Sequence, residues 1–148
     1  MRLILVCVDF SDVTGKVVEK ASAWAADLKA AVHLLHVIPP PPPMAVYAPG
    51  AGVALPMPTA TLPDTAVEKA KLRDAALRLR DHGIAVTEEL LEGPVIGEIL
   101  AVAERVDPEA IVLGSHGHGA LYELLVGSVT EGVLRRTRRP VWVVPSRS

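Results

Sequence analysis

Hydrophobic positions along this chain switch repeatedly between two patterns. Residues 3–8, Leu-Ile-Leu-Val-Cys-Val, form an unbroken apolar run that ends in Asp9. A continuous run, rather than an alternating one, suits a strand buried on both faces. Val17, Ala21, Trp24 and Leu28 then recur at helical spacing, which predicts an amphipathic helix capped by Ser11 or Asp12. Residues 32–37 read as a second strand. Asp64 and Thr65, with Glu68 three positions after Thr65, restart a helix with a capping-box pattern. Its apolar face is Leu72, Ala75, Ala76 and Leu79, and Gly83 ends it. Residues 84–91 predict a third strand. Gly93-Pro94 opens a third helix with Ile96, Ile99, Leu100 and Ala103 as its stripe, stopped by Asp107-Pro108. Residues 110–113 run as a fourth strand into Gly114, and Val141, Trp142, Val143 and Val144 follow Pro140 as a fifth.

Strands that alternate with helices imply right-handed crossovers and a parallel sheet covered on both faces. The fold class is therefore α/β. The length of 148 residues suits one domain, 1–148, with one real core. Aromatics make up only 3% of the chain, so Val, Leu, Ile and Ala must build that core.

The alternation stops at residues 39–63, which hold nine of the thirteen prolines and no charged residue. Five consecutive prolines at 39–43 have no backbone donors and favour polyproline II. This stretch is expected to be a long loop or insertion, acting as a lid over a ligand or as a surface for a partner.

Charge and cysteine content narrow the function classes. Fifteen Lys and Arg against seventeen Asp and Glu give a net charge of -2, which gives no support to non-specific nucleic-acid binding. One cysteine excludes an intramolecular disulfide framework and a multi-Cys zinc site. Cys7 lies inside an apolar run and reads as a core residue. The opening apolar run is too short for a signal-peptide core, and no run of 18 apolar residues suggests a spanning helix. A cytoplasmic protein with no membrane partner is the simplest expectation.

Ligands of parallel sheets bind beyond the carboxyl ends of strands, where the strand order reverses. That draws attention to Asp9 and Gly114. Gly114, Gly117 and Gly119 place three glycines in six residues directly after a strand. Gly127-Ser128 follows ten positions after Gly117, and Ser128 with Glu131 matches a second capping box. A helix is therefore expected to start at Ser128, separate from a shorter turn or helix over 121–126. A glycine turn facing free helix N-terminal amides is an anion site suited to phosphate. The Walker pattern is absent, and so is the Rossmann glycine spacing after the first strand.

Other constellations are weaker. Ser115, His116, His118 and Asp9 lack a nucleophile elbow, and adjacent Ser115 and His116 side chains would diverge. No catalytic residue is assigned. His116 and His118 lack a third metal ligand by spacing, so no metal is assigned to protein ligands alone. Asp9 could help position Mg2+ through a nucleotide's phosphates. His33 and His36 lie on a strand and read as structural. Arg135, Arg136, Arg138 and Arg139 cluster near a helix C-terminus, where the dipole favours cations.

Gly114, two residues, Gly117, nine residues, then Gly127-Ser128 resembles the motif of the universal stress protein family in its nucleotide-binding branch. The resemblance spans nearly the whole chain. It includes the first strand ending in Asp9, the Gly93-Pro94 turn and the closing Pro140-Val-Trp-Val-Val. It implies a single-domain three-layer sandwich, with a five-stranded parallel sheet in order 3-2-1-4-5 and helices on both faces. It also implies ATP, or ADP or AMP, as ligand. Asp9 would lie near the adenosine end, the Val37 backbone at the adenine and Gly114 at the ribose. Gly117, Gly127, Ser128 and the Val129 amide would hold phosphates. His118 stands where the family often has a basic residue, as a further phosphate contact. The fifth strand would pair with its copy in a homodimer. The resemblance implies a nucleotide-dependent regulator or sensor in stress response, with an unidentified regulatory protein partner. A slow ATPase or nucleotidyl-transfer enzyme is the alternative, and no general base or Lys stands beside the glycine loop to favour it.

Overall fold

The computed structural model describes residues 1–41, 44–47, 50, 52, 54–57, 64–115 and 126–146. Eleven elements run in chain order among these residues: β1 (Leu3–Cys7), α1 (Thr14–Leu28), β2 (Ala31–Ile38), β3 (Met44–Tyr47), β4 (Ala54–Met57), α2 (Thr65–Asp81), β5 (Val86–Glu92), α3 (Val95–Val106), β6 (Ala110–Gly114), α4 (Ser128–Arg136) and β7 (Val141–Val144). Five strands form one parallel sheet in the order β5-β2-β1-β6-β7. Numbered among themselves, these are the third, second, first, fourth and fifth strands, the expected order.

The apolar runs explain the layers. Side chains of successive strand residues point to opposite faces. Ile4, Val6, Val32 and Leu34 face α1 and α2, where they meet Val17, Ala21, Leu72 and Leu79. Leu5, Cys7, Leu35 and Val37 face the other way, against Ile99, Val102 and Ala103 of α3 and Val133 of α4. The unbroken hydrophobicity of β1 and β2 thus reflects two covered faces. Trp24 and Trp142 meet edge to face with ring centroids 5.0 Å apart, joining α1 to the edge strand β7.

Local chain ends differ from expectation in three places. Helix α1 has Val13 as its N-cap and no side-chain cap. Ser11 Oγ is buried and bonds to nothing among the described residues. The Ser11 N–H instead donates to Asp9 Oδ1 at 3.0 Å. The cap of α2 is Asp64, whose carboxylate accepts from the Ala66 N–H at 3.0 Å. Thr65 is already helical, and Glu68 turns to other partners. Residues 39–63 hold a paired element, which the proline content did not suggest: β3 and β4 pair antiparallel outside the main sheet. Pro56 lies opposite Ala45 there. In a two-stranded sheet every strand has a free edge, and Pro needs only to sit where its missing donor faces that edge.

The opposite edge, β5, carries an ion cluster. Glu89 bonds His33 Nε2 at 2.7 Å and Arg105 Nη2 at 2.6 Å, while His33 Nδ1 reaches Thr87 Oγ1 at 2.8 Å. Partial burial pushes the Glu89 carboxyl up, but hydrogen bonds from Arg105 and His33 outweigh it and hold the group below its ordinary value. Among the described residues no helix is long and apolar enough to cross a membrane.

Two outcomes follow from this packing. Leu34 is fully buried between β1 and the α1–α2 layer, so Leu34→Ala should cost about 2–5 kcal/mol in urea unfolding with the slope unchanged. A carboxyl depressed on folding contributes stability above its unfolded value, and that stability is lost as pH falls through the folded one. The stability gap between the wild type and Glu89→Gln should therefore be full above 4.5, the ordinary value, and close as pH drops below it. A gap independent of pH would refute the assignment.

Candidate functional site

The site arises where β1 stops. β1 pairs with β2 as far as Cys7 opposite Leu35. One further bond, from the Val8 N–H to the Leu35 carbonyl at 2.9 Å, closes that ladder. Peptide groups in a strand alternate sides. Those of Val37 therefore point the same way as those of Leu35, into space that β1 no longer fills. On the other flank, β6 pairs with β1 only as far as Val112 opposite Val6 and continues to Gly114. A cleft opens at this reversal of strand order.

That cleft is a cavity of about 440 Å³. Asp9, Val37, Gly114, Gly127, Ser128 and Val129 all line it, although they come from four separate stretches of the chain. Gly117 and His118 lie outside the described residues, as do His116 and Gly119. Most of the wall is apolar, from side chains such as Val8, Val13, Leu35, Ile99 and Leu113. Its polar groups include Asp9, His36 and the hydroxyls of Thr14, Ser128 and Thr130. No Lys or Arg is among the described lining residues.

The start of α4 supplies donors instead of cations. Its N-cap is Gly127, in an extended conformation (φ -59°, ψ 155°), with no side-chain cap. Ser128 is thus the first helical residue, not the cap. Glu131 pairs with Arg135 at 2.6 Å rather than reaching back in a capping box. This displacement matters, because the Ser128 hydroxyl is not spent on the helix. The first amides of a helix lack an intrahelical acceptor, and here those of Ser128 and Val129 stand at the cavity wall.

Hydrogen bonds clamp this helix start to β6. The Gly127 N–H donates to the Ser115 carbonyl at 2.6 Å, and Thr130 Oγ1 donates to the Gly114 carbonyl at 2.7 Å. The Ser115 N–H in turn donates to the Val144 carbonyl at 2.8 Å. Ser146 N–H donates to Ser115 Oγ at 3.1 Å, and Lys16 Nζ donates to the Ser146 carbonyl. The residues after β7 thereby tie α1 to the strand end beneath the helix start.

Asp9 also has local duties. Its Oδ1 accepts from the Ser11 N–H and, at 3.4 Å, from Thr14 Oγ1. This anchors the turn between β1 and α1. The Cys7 thiol lines the same cavity, but burial pushes its pKa far up, which leaves it an inert apolar group. Among the described residues no group of three or more His, Cys, Asp or Glu could hold a metal ion.

Sequence patterns missed three polar members of the wall. Thr14 and Thr130 had no signal, because a hydroxyl on a helix reads as ordinary surface. His36, expected from its strand position to be structural, lines the cavity beside Val37. Its position directly before the expected adenine contact was the available clue.

Comparison with known proteins agrees with this geometry. The model of the universal stress protein family matches residues 1–145. The chain is 36% identical over 80 residues to universal stress protein MJ0577 of Methanocaldococcus jannaschii, an alignment that covers 54% of this chain and 49% of that protein. It thus spans about half the length of that relative. It is 31% identical over 134 residues to universal stress protein A homolog 1 of Coxiella burnetii, covering 88% of this chain and 87% of the relative. The solved structure of MJ0577 superposes with a TM-score of 0.75 at 26% identity, over 99% of this chain and 97% of that one. The universal stress protein of Archaeoglobus fulgidus solved in complex with dAMP shares the fold, with a TM-score of 0.69 at 24% identity and 97% of each chain covered. A family match over almost the full length, with the sheet order and cleft described above, settles the family: the chain belongs to the universal stress protein family.

Proposed function

We propose that the cavity binds an adenine nucleotide and that the chain acts as a nucleotide-dependent regulator or sensor in stress response. One observation carries this reading. Six residues expected at a nucleotide, from four stretches of chain, line one cavity with the first amides of α4 in its wall. Its volume of about 440 Å³ falls within the range of small-molecule sites, roughly 300–1,000 Å³.

Each part of the ligand has a matching surface. The Val37 peptide groups, past the end of β1, offer a donor and an acceptor to the adenine edge. Apolar walls from Val8, Leu35 and Ile99 suit the ring faces. Asp9 and Gly114 flank the ribose position. The Ser128 and Val129 amides, with the Ser128 hydroxyl and the positive end of the α4 dipole, suit phosphates. Gly117 and His118 would complete that end. The fold-level likeness to a protein solved with dAMP supports an adenine ligand. ATP, ADP and AMP share these features. Mg2+ would be held chiefly by the phosphates, since Asp9 is the sole carboxylate among the described lining residues. With no Lys or Arg among the described residues of that wall, binding is favoured over phosphoryl transfer.

The proposal extends to a cytoplasmic homodimer. Val144 and Pro140 turn their carbonyls to β6, accepting from the Ser115 and Ile111 N–H groups. The peptide groups of Val141 and Val143 therefore face the free edge of β7, open to a second copy. Trp142 is committed to Trp24, so pairing would rest on the Val141 and Val143 backbone.

Two experiments test this reading. Pro fits the first position of a helix and follows an extended residue well. Ser128→Pro should thus keep α4 while removing one amide and one hydroxyl. Calorimetry should show wild-type binding of ATP and AMP, weakened roughly 10–100-fold in Ser128→Pro, with adenosine affinity unchanged. No binding at millimolar ATP and AMP would refute the proposal. Val143→Pro removes an outward donor from an edge strand that can tolerate it. Sedimentation should show a wild-type dimer and a monomeric variant; a monomeric wild type would refute the dimer.

A further inference from the structure

His36 sits on β2 with its side chain 7% exposed, and both ring nitrogens face acceptors. Nδ1 lies 2.7 Å from the Val8 carbonyl oxygen. A carbonyl only accepts, so Nδ1 must carry a hydrogen. Nε2 lies 3.0 Å from Glu68 Oε2, in the first turn of α2. A neutral ring with its hydrogen on Nδ1 would set a lone pair against that carboxylate. The arrangement is satisfied when the pair holds one more proton on Nε2, as imidazolium and carboxylate.

The surroundings enforce this pairing. The Phe10 ring covers the imidazole at 4.4 Å between centroids, tilted by 54°. Phe10 holds a left-handed backbone conformation, φ 58°, which a bulky residue adopts only where its surroundings compel it. Lys71 Nζ lies 3.3 Å from the second Glu68 oxygen and 5.6 Å from the Phe10 centroid. From β1 the ring meets the Val8 carbonyl, with Asp9 the next residue. From β5 it stands opposite Leu90, which has no charge. Among the described residues the charged groups around it are Glu68, Lys71 behind Glu68, Asp9 in the same cavity wall, and Glu88 and Glu92, which flank Leu90 on the same face of β5.

Two members of this cluster, His36 and Val8, belong to the wall of the cleft. His36 lines the cavity together with Val8, Asp9 and Pro39. We propose that the His36–Glu68 pair is a proton-held brace, tying α2 to the Val8–Asp9 turn, and that ligand affinity in the cavity falls when the proton leaves. His36 acts here as a positioning residue, through Val8 and α2. The proposal regulates the adenine-nucleotide site and rests on that reading.

The test uses adenosine, which has no phosphate to titrate, on the full chain. Wild-type affinity, measured by calorimetry, should weaken roughly three- to tenfold between about pH 6 and about pH 9, the effect of one hydrogen bond lost. In Glu68→Gln an amide donates to the unprotonated Nε2, so the brace needs no extra proton. That variant should change less than about twofold over the same range. A flat wild-type profile, or an equal slope in Glu68→Gln, would overturn the proposal. Imidazole nitrogen NMR of the free protein gives an independent readout. At the pH where wild-type affinity is highest, both His36 nitrogens should be protonated in the wild type, and only Nδ1 in Glu68→Gln. A wild-type ring singly protonated at that pH overturns the brace. If adenosine binds at no pH, the nucleotide reading falls, and the NMR result still decides the brace.

Discussion

β1 pairs with β2 up to Cys7 opposite Leu35, and the bond from Val8 to Leu35 ends that ladder. Both neighbours of β1 run further: β2 to Ile38 and β6 to Gly114. Peptide groups past the end of a central strand have lost their sheet partner, yet they sit in a protein interior where an unpaired group is costly. The chain resolves this by bringing helix starts to the gap. Thr130 of α4 satisfies the Gly114 carbonyl, and the Ser115 carbonyl takes the Gly127 N–H. The Val8 carbonyl takes the His36 ring. The Val37 groups are left facing the opening, so the cleft and its polar lining have one origin.

The chemistry of the cleft then follows from what is and is not charged. An anion could be held by cations on flexible side chains or by fixed amides. Fixed amides lose no side-chain entropy on binding and keep their direction. The described wall offers such amides at the start of α4 and is otherwise mostly apolar, with Asp9, His36, Thr14 and Thr130 as its further polar members. Such a surface discriminates by shape and hydrogen-bond direction more than by net charge. It suits a ligand with a flat apolar ring at one end and a compact anion at the other. The clamp from Lys16 through Ser146 to Ser115 supports the amide end indirectly, by fixing the strand end that α4 rests on.

Legibility from sequence tracked the strength of the physical signal. Residues 3–8 could be read as a doubly covered strand, because burial on both faces leaves no polar position in the run. The sheet order came from family resemblance rather than periodicity, since alternation constrains handedness but not which edge a strand joins. Gly127 and Ser128 line the cleft, but the N-cap lies at Gly127, one residue before the position that the Ser128–Glu131 spacing suggests. Capping boxes at 65–68 and 128–131 matched by residue type, yet Asp64 and Gly127 hold the N-cap positions. A Ser or Thr hydroxyl at the first helical position has the same spacing to Glu as one at the cap, so spacing alone cannot separate them. The β3–β4 pair escaped because its strands carry no charge and include a proline, which removes the alternation that marks a hairpin. His36 escaped because its acceptors, Val8 and Glu68, come from distant parts of the chain.

The proline-rich stretch takes a definite place once its two ends are considered. It leaves β2 at Pro39, which lines the cavity. It returns at Asp64, the cap of α2, one turn before Glu68. Both ends are therefore attached to the cleft wall, one directly and one through the His36–Glu68 contact. The pairing of Met44–Tyr47 with Ala54–Met57 folds part of the excursion back on itself, which shortens the loop that must be closed and lowers its entropic cost. A force or partner acting on residues 39–63 can reach the site through two covalent attachments, at Pro39 and at the first turn of α2. The second attachment bears on the site through the contact between Glu68 and His36. The stretch expected to be a long loop or insertion thus has one anchor, Pro39, in the site wall and the other joined to that wall through Glu68 and His36.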